Sequence, residues 1–400
     1  MRKACYKVVS VACLLPISMP LFATGIIDIK PYISTNIDYD DNIFRFSSPE
    51  QAKAVFGSSD TSDVVKRVDI GVNVNLRLDR QLLTVSSNIN ESRYDRFQIL
   101  NNTGNANKIT WNWRVGNNVY GELSASRNEA IAGFNEIKQP VKNLRTSSRQ
   151  LASINWNFKP DWTLSLSREL GSTENELASF NALDRDDDSY EAGVRYQNRL
   201  GTQLGLAYRV VDSKYLNRTG FTQASFGSES TQKEVIATAA WLPTHQTRIS
   251  TRLAQVNLQH TDVSGRDFNG FSQRWNVDHS FTGKTKINLT AYQEVNAVDD
   301  VLSTYVRTQG VSINPTWNAT RKISVQAGLG YEERRYLGSA ANAAEADRQD
   351  QSELANLSLT YSPTRKSIVQ IQYQTENRTS DTTNVSYKFN NVNLLMRYDY

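Results

Sequence analysis

The chain has 400 residues, with 45 Lys and Arg against 41 Asp and Glu for a formal net charge of +4, and a mean hydropathy of −0.53. So mild a basic balance, with no Lys/Arg run, argues against nucleic acid as a partner. A hydrophobic fraction of 39% with 18 Tyr and 7 Trp is too polar for a large soluble core yet rich in strand formers.

At the start, Arg2, Lys3 and Lys7 precede an apolar run from Val8 to Phe22 and the small Ala23. This is the pattern of a secretory signal peptide over residues 1–23, leaving 24–400 as a single domain. Leu21 leaves the cut site open. Cys13 follows Ser10-Val11-Ala12, a loose lipoprotein box that lacks the usual leucine and comes too early in the apolar run. Both cysteines, Cys5 and Cys13, belong to this leader, so no disulfide holds the mature chain. No later stretch reaches the ~18 consecutive apolar residues of a membrane-spanning helix.

From Val68 the polarity changes at nearly every step. Val68, Ile70, Val72, Val74, Leu76 and Leu78 share one parity, and Asp69, Gly71, Asn73, Asn75 and Arg77 the other. A period of two predicts a strand with unlike faces. After Asp79-Arg80 the alternation resumes with Leu83, Val85 and Ile89 against Thr84, Ser86, Asn88 and Asn90, which predicts a tight antiparallel hairpin.

Further short turns are expected at Asn117-Asn118, Lys159 to Asp161, Leu200-Gly201, Pro243 to Gln246, Thr282 to Lys284, Asn318 to Arg321 and Ser362 to Arg365. Longer polar stretches lie between them, at residues 41–64, 97–107, 128–146, 172–188, 212–229, 261–269, 297–303, 337–351 and 378–384. Short and long connections alternate without a break. A soluble sandwich has no reason to place every long connection at one end, whereas an outer-membrane barrel has brief periplasmic turns and long outer loops. The predicted fold is therefore all-β: an antiparallel, up-and-down transmembrane barrel of about 18 strands, within 16–18. Its apolar parity should face lipid in the outer membrane of a Gram-negative envelope.

Tryptophan placement agrees. Trp111, Trp113, Trp156, Trp162, Trp241 and Trp317 lie on the apolar parity close to short turns, with Trp275 the exception, as a periplasmic aromatic girdle would require. At the C-terminus Val392, Leu394, Met396, Tyr398 and Tyr400 alternate up to an aromatic final residue. This ending resembles the signal that outer-membrane barrels present to their assembly machinery, which makes that machinery an expected partner through Tyr400, beside membrane lipid and lipopolysaccharide.

Chemistry-bearing constellations are sparse. His245 lies in a short turn, His260 at an outer strand end and His279 on the apolar parity. His260 with Asp262 resembles the Asp/His pairs of outer-membrane proteases, but a solvated His beside a loop Asp is the simpler reading. No catalytic residue, metal site or cofactor is assigned, and the chain is read as a non-enzyme. The run "DRDDD", Asp184 to Asp188, reads as a solvated loop ahead of a divalent-cation site.

The wet parity is richer. It carries Arg77, Arg114, Arg195, Arg209, Arg252, Arg274 and Arg397, with Asp69, Glu191, Asp278 and Glu294 as opposing charges among many Asn, Gln, Ser and Thr. An interior this polar is a hydrated channel unless loops plug it. The arginines point either to an anionic or heavily hydroxylated solute or to wall-stiffening pairs with the inward acids, and both readings stand.

Residues 37–45, "IDYDDNIFR", close the first strand on Tyr39-Asp40-Asp41-Asn42-Ile43-Phe44-Arg45. This resembles the opening of the porin-type outer-membrane β-barrel proteins of exosortase-associated exopolysaccharide biosynthesis and export loci, which are similar in length, leader and aromatic ending. The resemblance implies a channel or component for biosynthesis or export of an extracellular polysaccharide, with periplasmic polysaccharide-export proteins as partners. Asp40, Asp41 and Asn42 become the loop positions to watch, although Asp and Asn also bond local backbone where a strand exits into a loop. The alternative function is a general diffusion or solute-uptake porin.

Overall fold

The computed structural model describes residues 26–135, 138, 140–263, 267–297, 305–337 and 348–400. The leader expected at residues 1–23 lies outside them. The strands are β1 (Ile26–Asp40), β2 (Asp63–Leu78), β3 (Gln81–Tyr94), β4 (Asn102–Val115), β5 (Val119–Ile131), β6 (Leu144–Lys159), β7 (Trp162–Asn175), β8 (Arg185–Gln197) and β9 (Gln203–Tyr215). They continue as β10 (Glu229–Thr244), β11 (Thr247–His260), β12 (Phe268–Ser280), β13 (Thr285–Ala297), β14 (Tyr305–Trp317), β15 (Ile323–Leu337), β16 (Gln349–Tyr361), β17 (Ser367–Ser380) and β18 (Tyr387–Asp399). Each pairs antiparallel with its chain neighbours, and β1 pairs with both β2 and β18, so the 18-stranded sheet closes on itself without an edge.

Register turns the alternation into two faces. Across β2 and β3, Ile70 lies opposite Ile89, Val74 opposite Val85 and Leu76 opposite Leu83, while Asp69 faces Asn90 and Asn73 faces Ser86. The apolar row continues from Leu83 to Trp111 and then Leu123. Followed around the barrel, all seven Trp fall on this outer parity, with Trp156 and Trp241 51% and 55% exposed. Apolar side chains this open to solvent are tolerated only where lipid covers them.

The eight expected turns are where the strands reverse. Leu78 pairs with Gln81 around Asp79-Arg80, and Asp79 sits in the left-handed region at φ 50°, as the favoured two-residue hairpin turns require. Strands of 13 to 16 residues exceed the ~9–11 needed to cross hydrocarbon. Their surplus stands beyond the outer end of the apolar band, which corrects two expectations. The stretch 97–107 is a connection only up to Asn101, because Asn102–Val115 is already β4. Its outward Thr103, Asn105 and Asn107 carry no apolar signature. Of "DRDDD" only Asp184 lies in the connection, since Arg185 to Asp188 open β8.

Several long connections are folded rather than merely solvated, while most of those expected at 297–303 and 337–351 lies outside the described residues. Between β1 and β2, Ser48 caps α1 (Pro49–Phe56) by accepting from Gln51 N, Pro49 occupies its first turn, and Gly57 ends it at φ 77°. This helix packs Phe44, Phe46, Ala52 and Phe56 against Phe97 and Leu100 of the next connection and Phe134 of the third. Phe44 is fully buried and meets Phe97 and Phe134 edge-on, at 4.8 Å each. From that third connection Lys138 Nζ donates to Asn384 O (2.9 Å) and Val385 O (2.6 Å), between β17 and β18. The cap thus links the β5 side of the mouth to the β17 side.

The connection after β9 folds around Arg218, whose guanidinium lies 3.4 Å from the Tyr215 ring centroid and donates to Phe226 O (3.1 Å) and Gly227 O (3.0 Å). Burial pushes this guanidinium below its usual pKa.

With this topology, a cysteine at Ser58 or Gly220 should react with an impermeant maleimide on intact cells and one at Asn118 or Gly283 should not; the opposite pattern would invert the barrel. Val72→Arg and Leu289→Arg, on the lipid parity, should each destabilise the folded barrel by about 2–4 kcal/mol in a denaturant titration, while Asn73→Arg and Asn288→Arg should be mild. Equal damage on both parities would point to a two-sided soluble core.

Candidate functional site in the barrel lumen

The inner parity carries most of the polar residues of the strands, so the lumen wall is the place to look for function. Register places each of the seven arginines there. Arg77 shares a parity with Asn73, and Arg114 lies opposite Tyr120. Arg195 faces Gly205 and Arg209 faces Glu191. Arg252 faces Arg274, and Arg397 faces Ser34. Asp69, Asp278 and Glu294 are inward as well, with Asp278 opposite Arg248 and Asn288.

Within this set the side chains fall into two groups. Arg274 makes a two-pronged bond to Glu294, Nε to Oε1 and Nη2 to Oε2, both 2.7 Å. Arg252 Nη2 donates to Glu234 Oε2 at 2.6 Å, and Arg397 donates to Asp399 Oδ1 at 2.7 Å while stacking 3.8 Å from the Tyr32 ring. Such pairs fix side-chain position and cancel charge. For these three arginines the pairing stiffens the wall. Arg149 with Glu169 and Arg334 with Glu332 repeat the arrangement.

Arg77, Arg114, Arg195 and Arg209 have no carboxylate within ion-pair distance among the described residues. Arg209 Nε donates to Ser189 Oγ at 3.0 Å. Arg195 Nη2 reaches past β6 and β7 to donate to Tyr120 Oη at 3.2 Å, and the Arg114 guanidinium lies 5.3 Å from the centroid of the same ring. Arg114 and Tyr120 flank the β4–β5 turn, and Arg195 is two residues from the end of β8. Two exposed guanidiniums therefore converge on one tyrosine near the short-turn mouth. That arrangement can offer several N–H donors and one O–H to an anionic or hydroxylated group, with Glu122 on the adjacent rung of β5 as the nearest inward acid in sequence.

Asp40, Asp41 and Asn42 are committed to the strand exit. Asp40 takes two 2.8 Å bonds from Arg45 and one of 2.9 Å from Asn42 N. Asp41 accepts from Asn390 N and Nδ2 of β18, both at 2.7 Å. Asn42 Nδ2 donates to Phe46 O (2.8 Å) and Lys388 O (3.0 Å). Arg45, held at φ 57°, lies 3.6 Å from the Phe389 ring. These residues lock the first connection to the last strand.

Two expectations about titratable groups need correction. His260 is not solvated: its side chain is 5% exposed, and its neighbour is Asp267, at 3.6 Å, rather than Asp262, which accepts from Ser228 Oγ. The acids of "DRDDD" are dispersed by the strand period. Asp184 is buried and accepts from Asn175 N, Asp187 turns inward to Ser213 Oγ, and Asp188 turns outward to Arg168. Among the described residues no cluster of three or more His, Cys, Asp and Glu could hold a metal ion.

Sequence reasoning missed Glu234, Tyr120, Arg149, Glu169, Arg334 and Glu332. Parity alone would have placed each of them inward, but their partners become visible only with the inter-strand register.

A family model described as "Putative beta-barrel porin 2" matches residues 257–400, from the outer end of β11 to the C-terminus. No curated protein matches the chain. Among solved structures it is similar to Acinetobacter baumannii OccAB3, with 9% identity, a TM-score of 0.53, and 93% of this chain and 99% of that chain covered. It is similar also to Pseudomonas aeruginosa OccK2 (OpdF) in complex with glucuronate, at 9% identity and a TM-score of 0.51 over 93% of this chain and 98% of that chain. Pseudomonas aeruginosa OccK9 (OpdG) gives the same identity and TM-score over 94% and 98%. At such low identity these likenesses speak to the fold, which is that of an outer-membrane porin barrel, and the protein belongs in the Gram-negative outer membrane.

Because Glu294 neutralises Arg274, Glu294→Gln should raise the anion-to-cation permeability ratio of the purified barrel in a planar bilayer. An unchanged reversal potential would mean that this pair lies off the conduction path.

Proposed function

We propose that the barrel is a solute-uptake channel for small hydrophilic molecules bearing a carboxylate or other anionic group. The observation that carries this is the Arg114–Tyr120–Arg195 cluster, where uncompensated positive charge and a hydroxyl face the lumen together. Guanidiniums bind planar oxyanions through paired N–H donors, while a tyrosine hydroxyl serves sugar-like hydroxyls. The fold is shared with a porin crystallised with glucuronate, a sugar acid of this chemical kind. The linkage of the third connection to the β17–β18 connection across the mouth suits small solutes better than a long polymer.

Polysaccharide export is the second reading, and residues 37–45 favour it through their resemblance to barrels of exosortase-associated loci. It would bring polysaccharide and periplasmic export proteins as partners. Recognition of Tyr400 by the barrel assembly machinery fits either reading. The Tyr400 ring packs edge-on against Tyr398 at 4.9 Å, and its N–H donates to Pro31 O at 2.9 Å, within the closing seam.

In a planar bilayer under a salt gradient, the wild type should prefer anions, and Arg114→Gln/Arg195→Gln should lose that preference while the barrel still assembles. Deleting the gene should abolish growth on a small carboxylate or sugar acid and leave extracellular polysaccharide unchanged. Loss of extracellular polysaccharide with uptake intact would replace the porin reading by the export one.

A further inference from the structure

Three consecutive hairpins on one side of the barrel turn on the same short sequence: Thr282-Gly283-Lys284, Thr320-Arg321-Lys322 and Thr364-Arg365-Lys366. In each, the Thr hydroxyl accepts from the Lys backbone N–H, at 3.1 Å in all three, which fixes the turn locally. Lys284 Nζ then donates to Ala319 O (3.2 Å) and Lys322 Nζ to Pro363 O (2.8 Å), each leaning along the rim onto the next turn rather than into the lumen. Arg321, Arg365 and Lys366 are exposed, with no acidic partner among the described residues. The result is a continuous arc of five cations with no acid in its turns. Elsewhere on this rim Arg80 follows Asp79, and Lys159 lies two residues from Asp161.

The height of the arc identifies what it meets. Phe281, Trp317 and Tyr361 lie three or four residues before a cation of the arc. All three are exposed, and Trp317 and Tyr361 sit on the outer parity. Aromatic rings of this kind mark the membrane–water boundary, so the cations stand at the level of the lipid phosphates, on the leaflet reached by the short turns. We propose that this arc binds anionic phospholipid headgroups of the periplasmic leaflet and thereby holds a shell of acidic lipid on the β12–β17 side. Clustered cations beside a bilayer surface attract anionic lipid additively and are screened by salt. A periplasmic acidic protein could use the same charges, but the aromatic girdle beside them favours lipid.

The test uses the purified full-length protein and native mass spectrometry of lipids retained from mixed micelles of phosphatidylethanolamine and phosphatidylglycerol. At low salt the wild type should retain phosphatidylglycerol in preference, and high salt should erase the difference. In K284Q/R321Q/K322Q/R365Q/K366Q the preference should fall about tenfold or more, and R321Q/R365Q, a milder change to the fold, should show part of that loss. R80Q/K159Q/R199Q, on the other turns, should retain the wild-type preference. Equal retention of both lipids by the wild type would overturn the proposal. So would a preference that survives in the five-site variant, or one lost equally in the control.

Discussion

Hydrocarbon offers backbone N–H and C=O groups no hydrogen-bond partner, and everything in this molecule follows from having none left over. A sheet in lipid can meet that demand only by closing, so β1 must pair with β18 as well as β2. Closure has a geometric consequence. Once the ladder is complete, each side chain has only two directions to choose from, and the period of two divides the sequence into a lipid face and a water face with no residue free to cross over. The low hydropathy of the whole chain is the arithmetic of that division, with half of each strand paired to membrane and half to water.

The water face then organises itself electrostatically. Across neighbouring strands, inward arginines and acids at the same level form bidentate pairs such as Arg274 with Glu294, rigid and nearly neutral. Near the short-turn mouth Arg114 and Arg195 share Tyr120 instead. Selectivity in such a pore depends less on how many arginines line it than on which of them lack a counter-charge. At the opposite end, the aromatic cluster around Phe44 and the network joining Arg378 to Asp350 and Tyr336 give the mouth a built cap.

Much of this was legible in the residues. Strand number, turn positions, the lipid parity of Val68 to Leu78 and the inward aim of all seven arginines depend on a local period and on short-range turn chemistry, which a linear sequence carries openly. What stayed hidden depends on contacts between distant segments. Phe44, Phe97 and Phe134 come from three separate connections, and each looks like an isolated aromatic in a polar stretch until the barrel brings them together. That Arg252 is neutralised by Glu234 whereas Arg195 donates to Tyr120 depends on register. The acids of "DRDDD" misled because charge density says loop, while above the hydrocarbon a strand can be polar on both faces. His260 misled for the complementary reason, since burial under the loops leaves no local mark.

The division of the chain into two solvents is the claim on which the rest stands, and a nitroxide scan along residues 68–78 of the purified barrel in lipid vesicles tests it most directly. Labels at Val68, Ile70, Val72, Val74 and Leu76 should relax with lipid-soluble oxygen, and labels at Asp69, Gly71, Asn73, Asn75 and Arg77 with a water-soluble nickel chelate, in strict alternation. If both parities respond to oxygen alone, or if the inner one is shielded from both reagents, there is no hydrated lumen and the channel account fails.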